Sequence, residues 1–244
     1  MPQTPLSRRN ALFLDLDGTV IDIAATPDAV RRPACLSESL HALRAGLGGA
    51  VAIVSGRPLA QIDALLAEPG LPAAAEHGAV IRRPDGAIEE AQAGLPQQAA
   101  WADALRAAAG AWPGAMIEEK AHSLVAHYRL APAHGPALRR FIEVMIGDGA
   151  GHVEILPARM AFEIRARGIG KGHAVRHLMT LPPFAGRVPV FVGDDVTDEE
   201  GMQAAEELGG IGLHVARAFG GRPAAVRRWL ARSADALNEE ARRG

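Results

Sequence analysis

Three wholly apolar runs, each ending abruptly in polar residues, constrain the fold of this chain most. Ala11–Leu14 runs into Asp15-Leu16-Asp17-Gly18-Thr19, Ala50–Val54 into Ser55-Gly56-Arg57-Pro58, and Val188–Val192 into Gly193-Asp194-Asp195. Short apolar runs without alternation are the pattern of strands buried on both faces, which occur in parallel sheets covered by helices. Helical segments lie between them: Leu36, Leu40 and Leu43 share one face of residues 36–45, Gln61–Glu68 continues from Pro58, and Gly168–Gly172 opens a helix to Met179. Ala73–His77 and Gly210–Val215 read as further strands, and Arg222–Arg232 as a closing helix. This alternation predicts an α/β protein with a Rossmann-like parallel sheet and right-handed crossovers. Ligands of such sheets bind beyond the carboxyl ends of the strands, where the three polar segments fall.

From Arg82 to Arg165 the pattern changes. A helix near Gln97–Ala109, strands near Met116–Glu119 and Ser123–Arg129, a helix near His134–Ile146, and strands near His152–Leu156 and Ala161–Arg165 predict a small α+β module. Residues 83–166 are therefore expected to form a unit inserted into a discontinuous core of residues 1–82 and 167–244. A formal net charge of -2 gives no basic bias toward nucleic acid, and no apolar run approaches the roughly 18 residues that span a bilayer. The single cysteine, Cys35, excludes an intramolecular disulfide, favours a reducing compartment and reads as a small buried hydrophobe. A cytoplasmic monomer acting on a small molecule, with no nucleic-acid or membrane partner, is the expectation.

Asp15/Asp17, Ser55, Lys171 and Asp194/Asp195 all stand at a strand end or helix start on one predicted sheet edge. Carboxylates from two strand ends can hold a hard cation such as Mg²⁺ through oxygen ligands, relieving their mutual repulsion. A lysine at a helix N-terminus opposes the helix dipole, so Lys171 implies a bound anion there. The Ser55 hydroxyl and Gly56 N–H suit phosphate oxygens. Thr197 with Glu200 reads as a capping box for the helix after Asp195. Asp198 fits either a metal-supporting or a first-turn role. His122, His127 and His134 lack metal-ligand spacing, and Trp101, Trp112 and Trp229 read as packing residues.

Asp-Leu-Asp-Gly-Thr, Ser-Gly-Arg, a lysine and Gly-Asp-Asp-x-Thr-Asp-Glu, in that order, resemble the haloacid dehalogenase (HAD) superfamily. Gly193–Glu199, Glu76-His77-Gly78-Ala79 and Glu118-Glu119-Lys120 resemble more specifically the trehalose-6-phosphate phosphatases. The resemblance implies a HAD core with an inserted α+β cap of the C2 type, and a Mg²⁺-dependent phosphatase of trehalose biosynthesis. It implies Asp15 as nucleophile, Asp17 as acid and base, and Ser55 and Lys171 as holders of the phosphoryl oxygens. Asp15, the Asp17 carbonyl and Asp194 would bind Mg²⁺, with Asp195 or Asp198 supporting. Gly56, Arg57, His77 and Gly78 would meet substrate at the core, and Glu118, Lys120, Arg159 and Glu163 would read the sugar, Arg159 standing where the family pattern has lysine. Two alternatives stay open from the residues: a phosphatase of this architecture for another sugar phosphate, such as sucrose phosphate or mannosyl-phosphoglycerate, and a phospho-accepting signalling receiver.

Overall fold

The computed structural model describes residues 4–23, 33–66, 70–90, 95, 97–120, 122–147, 151–158 and 160–243. In chain order the elements are β1 (Asn10–Leu14), α1 (Ala34–Gly46), β2 (Val51–Val54), α2 (Leu59–Leu66), β3 (Ala73–Ala75), β4 (Val80–Arg82), β5 (Ile88–Glu90), α3 (Gln98–Ala108), β6 (Met116–Glu119), β7 (Ser123–His127), α4 (Gly135–Ile146), β8 (Val153–Ala158), β9 (Ala161–Ala166), α5 (Lys171–Leu178), β10 (Val188–Gly193), α6 (Val196–Glu207), β11 (Ile211–His214), α7 (Val215–Phe219) and α8 (Pro223–Arg243). They form two compact units, 1–90 with 170–244, and 91–169.

The first unit is built on a seven-stranded sheet of order β11-β10-β1-β2-β3-β4-β5. Its first five strands are parallel, as their unbroken apolar character predicts. Leu14 of β1 pairs with Ile53 of β2 and with Val192 of β10, so the carboxyl ends of three neighbouring strands finish level. Leu12, Phe13, Leu14, Val51, Ile53, Phe191 and Val192 are fully buried and anchor that register in one core. Without the hydrophobic rows on both faces a one-residue slip would cost little; with them it would carry Asp15 out of line.

The expected parallel sheet is present, and β4 and β5 extend it antiparallel through a tight turn at 76–78 and the Pro84-Asp85-Gly86 turn. Two expectations are corrected here. The pairing of β5 with β4 carries the first unit to Glu90, past the expected junction at residue 82, and the unit resumes at Gly170 rather than 167. Cys35 is exposed, since α1 turns its Leu36, Leu40 and Leu43 stripe inward and the preceding position falls on the opposite face. The three tryptophans are buried as expected.

The second unit is an antiparallel sheet of order β6-β7-β9-β8. Trp101 and Leu105 of α3 and Leu138 and Ile142 of α4 pack with Leu124, Ala126 and Ile164 from one sheet face. Strand alternation places Glu118, Ser123, His127, Glu163 and Arg165 on the other face.

Candidate active site

Level strand ends bring the acidic groups together. Asp15 follows β1 and its N–H donates to Val192 O at 3.0 Å, which ties it to the β10 terminus carrying Asp194. Lys171 opens α5, and its ammonium donates to Asp15 Oδ1 at 2.8 Å and to Asp198 Oδ1 at 2.6 Å. All three groups are buried: Asp15 is 5 % exposed, Lys171 3 % and Asp198 0 %. The second oxygen of Asp198 accepts the backbone N–H groups of Asp194 and Asp195, at 2.9 and 3.0 Å. One carboxylate thus fixes both the Asp194–Asp195 backbone and the lysine. Two glycines are obligatory in this geometry: a Cβ on Gly18, whose φ is +79°, would strike the Asp194 carboxylate, and one on Gly193 would strike Asp198.

The electrostatics are unbalanced as they stand. Carboxylate oxygens of Asp15, Asp194 and Asp198 lie within 4.8 Å of one another, with one lysine among them. Burial pushes the Asp15 carboxyl up to about 8, with Asp198 adding to the rise and Lys171 opposing it. Burial, then Asp198 and Asp195, raise Asp194 to about 6. Burial opposes the charge on Lys171, but Asp15 and Asp198 outweigh it and hold the ammonium above its ordinary range. An excess of buried negative charge presented by hard oxygen donors fits a divalent cation such as Mg²⁺. This donor set can pair a nucleophilic carboxylate with electrostatic stabilisation of a phosphoryl group.

The remaining predicted residues fall at the same sheet edge or on the second unit. Ser55 ends β2, is 1 % exposed, and accepts the Arg57 N–H through Oγ at 3.2 Å. Arg57 grips Asp17 with a two-pronged ion pair, Nε to Oδ2 at 2.5 Å and Nη2 to Oδ1 at 2.7 Å, and reaches Gln61 Oε1 with Nη1 at 3.2 Å. His77, with φ of +58°, bonds through its N–H to Ser55 O at 3.0 Å, and its ring occupies the space a Gly56 side chain would need. Gly78 lies against Gly170 O, beside the start of α5. Glu76 and His77 are both left-handed, which ends β3 at Ala75 rather than His77.

Asp195 is not drawn into the acidic cluster. It is the N-cap of α6, its carboxylate accepts the Val196 N–H at 2.7 Å, and the capping box is Asp195 with Asp198, not Thr197 with Glu200. In the second unit, Glu118 and Glu163 lie on one sheet face, flanking Val125, and Lys120 Nζ is 3.8 Å from Glu163 Oε1. Arg159 lies outside the described residues.

A carboxylate ending the central strand, another two residues on, and a hydroxyl and a lysine from flanking elements define a HAD-type core with an additional α+β unit. Residues 13–225 match the family Trehalose-phosphatase. The chain is 41% identical over 205 residues to the probable trehalose-phosphate phosphatase of Sinorhizobium fredii, covering 84% of this chain and 77% of that one. It is 35% identical over 218 residues to the trehalose-6-phosphate phosphatase of Escherichia coli, covering 88% and 81%. The C-terminal domain of the C. albicans trehalose-6-phosphate phosphatase shares its fold, with a TM-score of 0.75 at 22% identity over 94% and 93% of the two chains. This chain belongs to the trehalose-phosphatase family. That membership excludes the receiver alternative. Among the described residues no helix is long and apolar enough to cross a membrane.

Proposed function

We propose that the chain is a Mg²⁺-dependent phosphatase that hydrolyses trehalose 6-phosphate to trehalose and inorganic phosphate. The observation that carries this reading is the Lys171 ammonium 2.8 Å from Asp15 at the mouth of an acidic, cation-deficient cluster. Asp15 attacks phosphorus in line, forming an aspartyl-phosphate as the bond to the sugar oxygen breaks. Asp17, after exchanging its Arg57 ion pair for a proton, delivers that proton to the departing sugar oxygen. It then takes a proton from the water that attacks the aspartyl-phosphate, regenerating Asp15 and releasing phosphate. Ser55 and Lys171 hold the phosphoryl oxygens as their charge redistributes. Asp15, Asp194 and the Asp17 carbonyl would hold Mg²⁺, with Asp198 and Asp195 supporting their loop, and the ion when bound would neutralise phosphoryl charge as a Lewis acid.

Gly56, Arg57, His77 and Gly78 line the phosphate side in this reading. The second unit acts as the cap, reading trehalose hydroxyls with Glu118, Lys120, Arg159 and Glu163. A reducing, cytoplasmic compartment is in keeping with a single cysteine. Phosphate release across trehalose 6-phosphate, sucrose 6-phosphate, mannosyl-phosphoglycerate and glucose 6-phosphate, with and without chelator, tests the reading. Trehalose 6-phosphate is expected to lead the panel, and chelation to stop turnover. A tenfold preference for another sugar would overturn the substrate, and full activity in chelator would overturn the metal.

A further inference from the structure

The polar face of the second unit's sheet is not a set of independent side chains. β7 is flanked by β6 and β9, and it sends one hydrogen-bond donor to each. Ser123 Oγ donates to Glu163 Oε1 on β9 at 2.6 Å, with both residues buried at 5 % and 4 % exposure. Four residues on along the same strand face, His127 Nε2 lies 2.8 Å from Glu118 Oε2 on β6. A carboxylate only accepts, so the imidazole nitrogen facing it carries the hydrogen. The two carboxylates sit either side of Val125 in one cross-strand row, Glu118 opposite Val125 and Val125 opposite Glu163. Their backbone positions are thus two strand spacings apart, about 10 Å, a span suited to hydroxyls on different parts of a disaccharide rather than on one carbon.

Free glutamate side chains lose several rotamers on binding, and holding one in place before the ligand arrives removes that cost. Each of these glutamates has one oxygen held by a short bond from β7. The Glu118 carboxyl is kept below its ordinary range by the His127 hydrogen bond and by Lys120, so it stands ready as an anionic acceptor.

We propose that Ser123 and His127 are positioning residues for sugar recognition, Ser123 acting through Glu163 and His127 through Glu118. The inference rests on the proposed sugar-reading role of this face and adds the two residues that set its geometry. Neither was distinguishable from packing or surface in the sequence, where His127 showed only a lack of metal-ligand spacing.

The test measures kcat/KM on trehalose 6-phosphate and on p-nitrophenyl phosphate, an aryl phosphate with no sugar to read, and compares their ratio between variants. His127→Ala is expected to lower the ratio at least about tenfold, chiefly through KM, since small misplacements of positioning groups cost up to about a hundredfold. His127→Gln, which retains an N–H at similar reach, should recover most of it. Ser123→Ala should act likewise, with Ser123→Thr as the rescue. His127 is one-third exposed, so its variants remain informative if Ser123→Ala destabilises the fold.

The cycle is decisive: adding His127→Ala to Glu118→Ala should cause no further fall in the ratio, because the histidine then has nothing to position. A fall in the double variant equal to that in His127→Ala alone would overturn the proposal, as would an unchanged ratio in His127→Ala. If Glu118→Ala and Glu163→Ala themselves leave the ratio unchanged, it is the sugar-reading role of the face that fails.

Discussion

Replacing Lys171 by methionine removes the only cation hydrogen-bonded to the Asp15 and Asp198 carboxylates among the described residues, while keeping a chain of similar length. The groups left without their cation are the buried Asp15 carboxyl, which burial raises to about 8, and the fully buried Asp198. Breaking a buried ion pair from one side costs about 3–5 kcal/mol. An independent ceiling comes from protonation. A carboxylate that loses its cation can take up a proton, at about 1.4 kcal/mol per pH unit above an ordinary value near 3.9, or about 4 kcal/mol at pH 7 and about 1.5 at pH 5.

The two estimates agree at pH 7, so the deficit should be about 3–4 kcal/mol there and should shrink by about 2–3 kcal/mol at pH 5. Lys171 itself does not produce this slope. Its raised value leaves its own stabilisation fully present below 10.5 and lost only above that, so it is constant between pH 5 and 7. Urea unfolding of chelator-treated wild type and Lys171→Met at the two pH values measures the difference. A deficit below about 1 kcal/mol at pH 7, or one of equal size at pH 5, would refute the claim that the lysine neutralises a buried acidic cluster.

Mg²⁺ should raise the melting temperature more at pH 8 than at pH 6. The raised carboxyls contribute stability that is present below 3.8 and lost as pH rises through about 6 for Asp194 and about 8 for Asp15, and the ion competes with those same protons. Calorimetric scans giving equal gains at both pH values would contradict this. Asp15→Asn should release no phosphate from any monoester, yet the metal-free variant should melt at or above wild type at pH 8, because the amide removes an anion that burial opposes; measurable turnover would count against a nucleophilic Asp15. Gly18→Ala combines a left-handed backbone with a side chain aimed into Asp194, so it should cost about 1–3 kcal/mol and weaken Mg²⁺ binding in titration calorimetry; wild-type affinity would show that the loop accommodates it.

The parallel strands of the core and their polar ends were legible because burial on both faces leaves an unbroken apolar run, and little else in a soluble chain does. That is why Asp15, Ser55, Lys171 and Asp194 could be expected on one edge. Where α6 begins was not legible to the residue. With Asp195 as N-cap, its side chain turns to its own helix and Asp198 turns back to Lys171, a division of roles that the motif left open. The hairpin of β3 and β4 was missed because Ala73–Arg82 offers no helical spacing or crossover signal, and its left-handed turn falls on Glu76 and His77 rather than on glycines. Cross-strand partners such as Ser123 with Glu163 depend on the register of two strands forty residues apart in sequence, which local pattern does not encode.

The central strand of the larger sheet takes its two neighbours from widely separated stretches of the chain, β2 about forty residues later and β10 about 180 later. During synthesis the amino-terminal half must wait, with the flank of β1 open, until the whole second unit and α5 have left the ribosome. A chain halted at residue 169 would carry Asp15, Asp17 and Ser55 but neither Lys171 nor Asp194. On the roles proposed for these residues, such a fragment would lack phosphoryl chemistry and would expose the open flank of β1 instead.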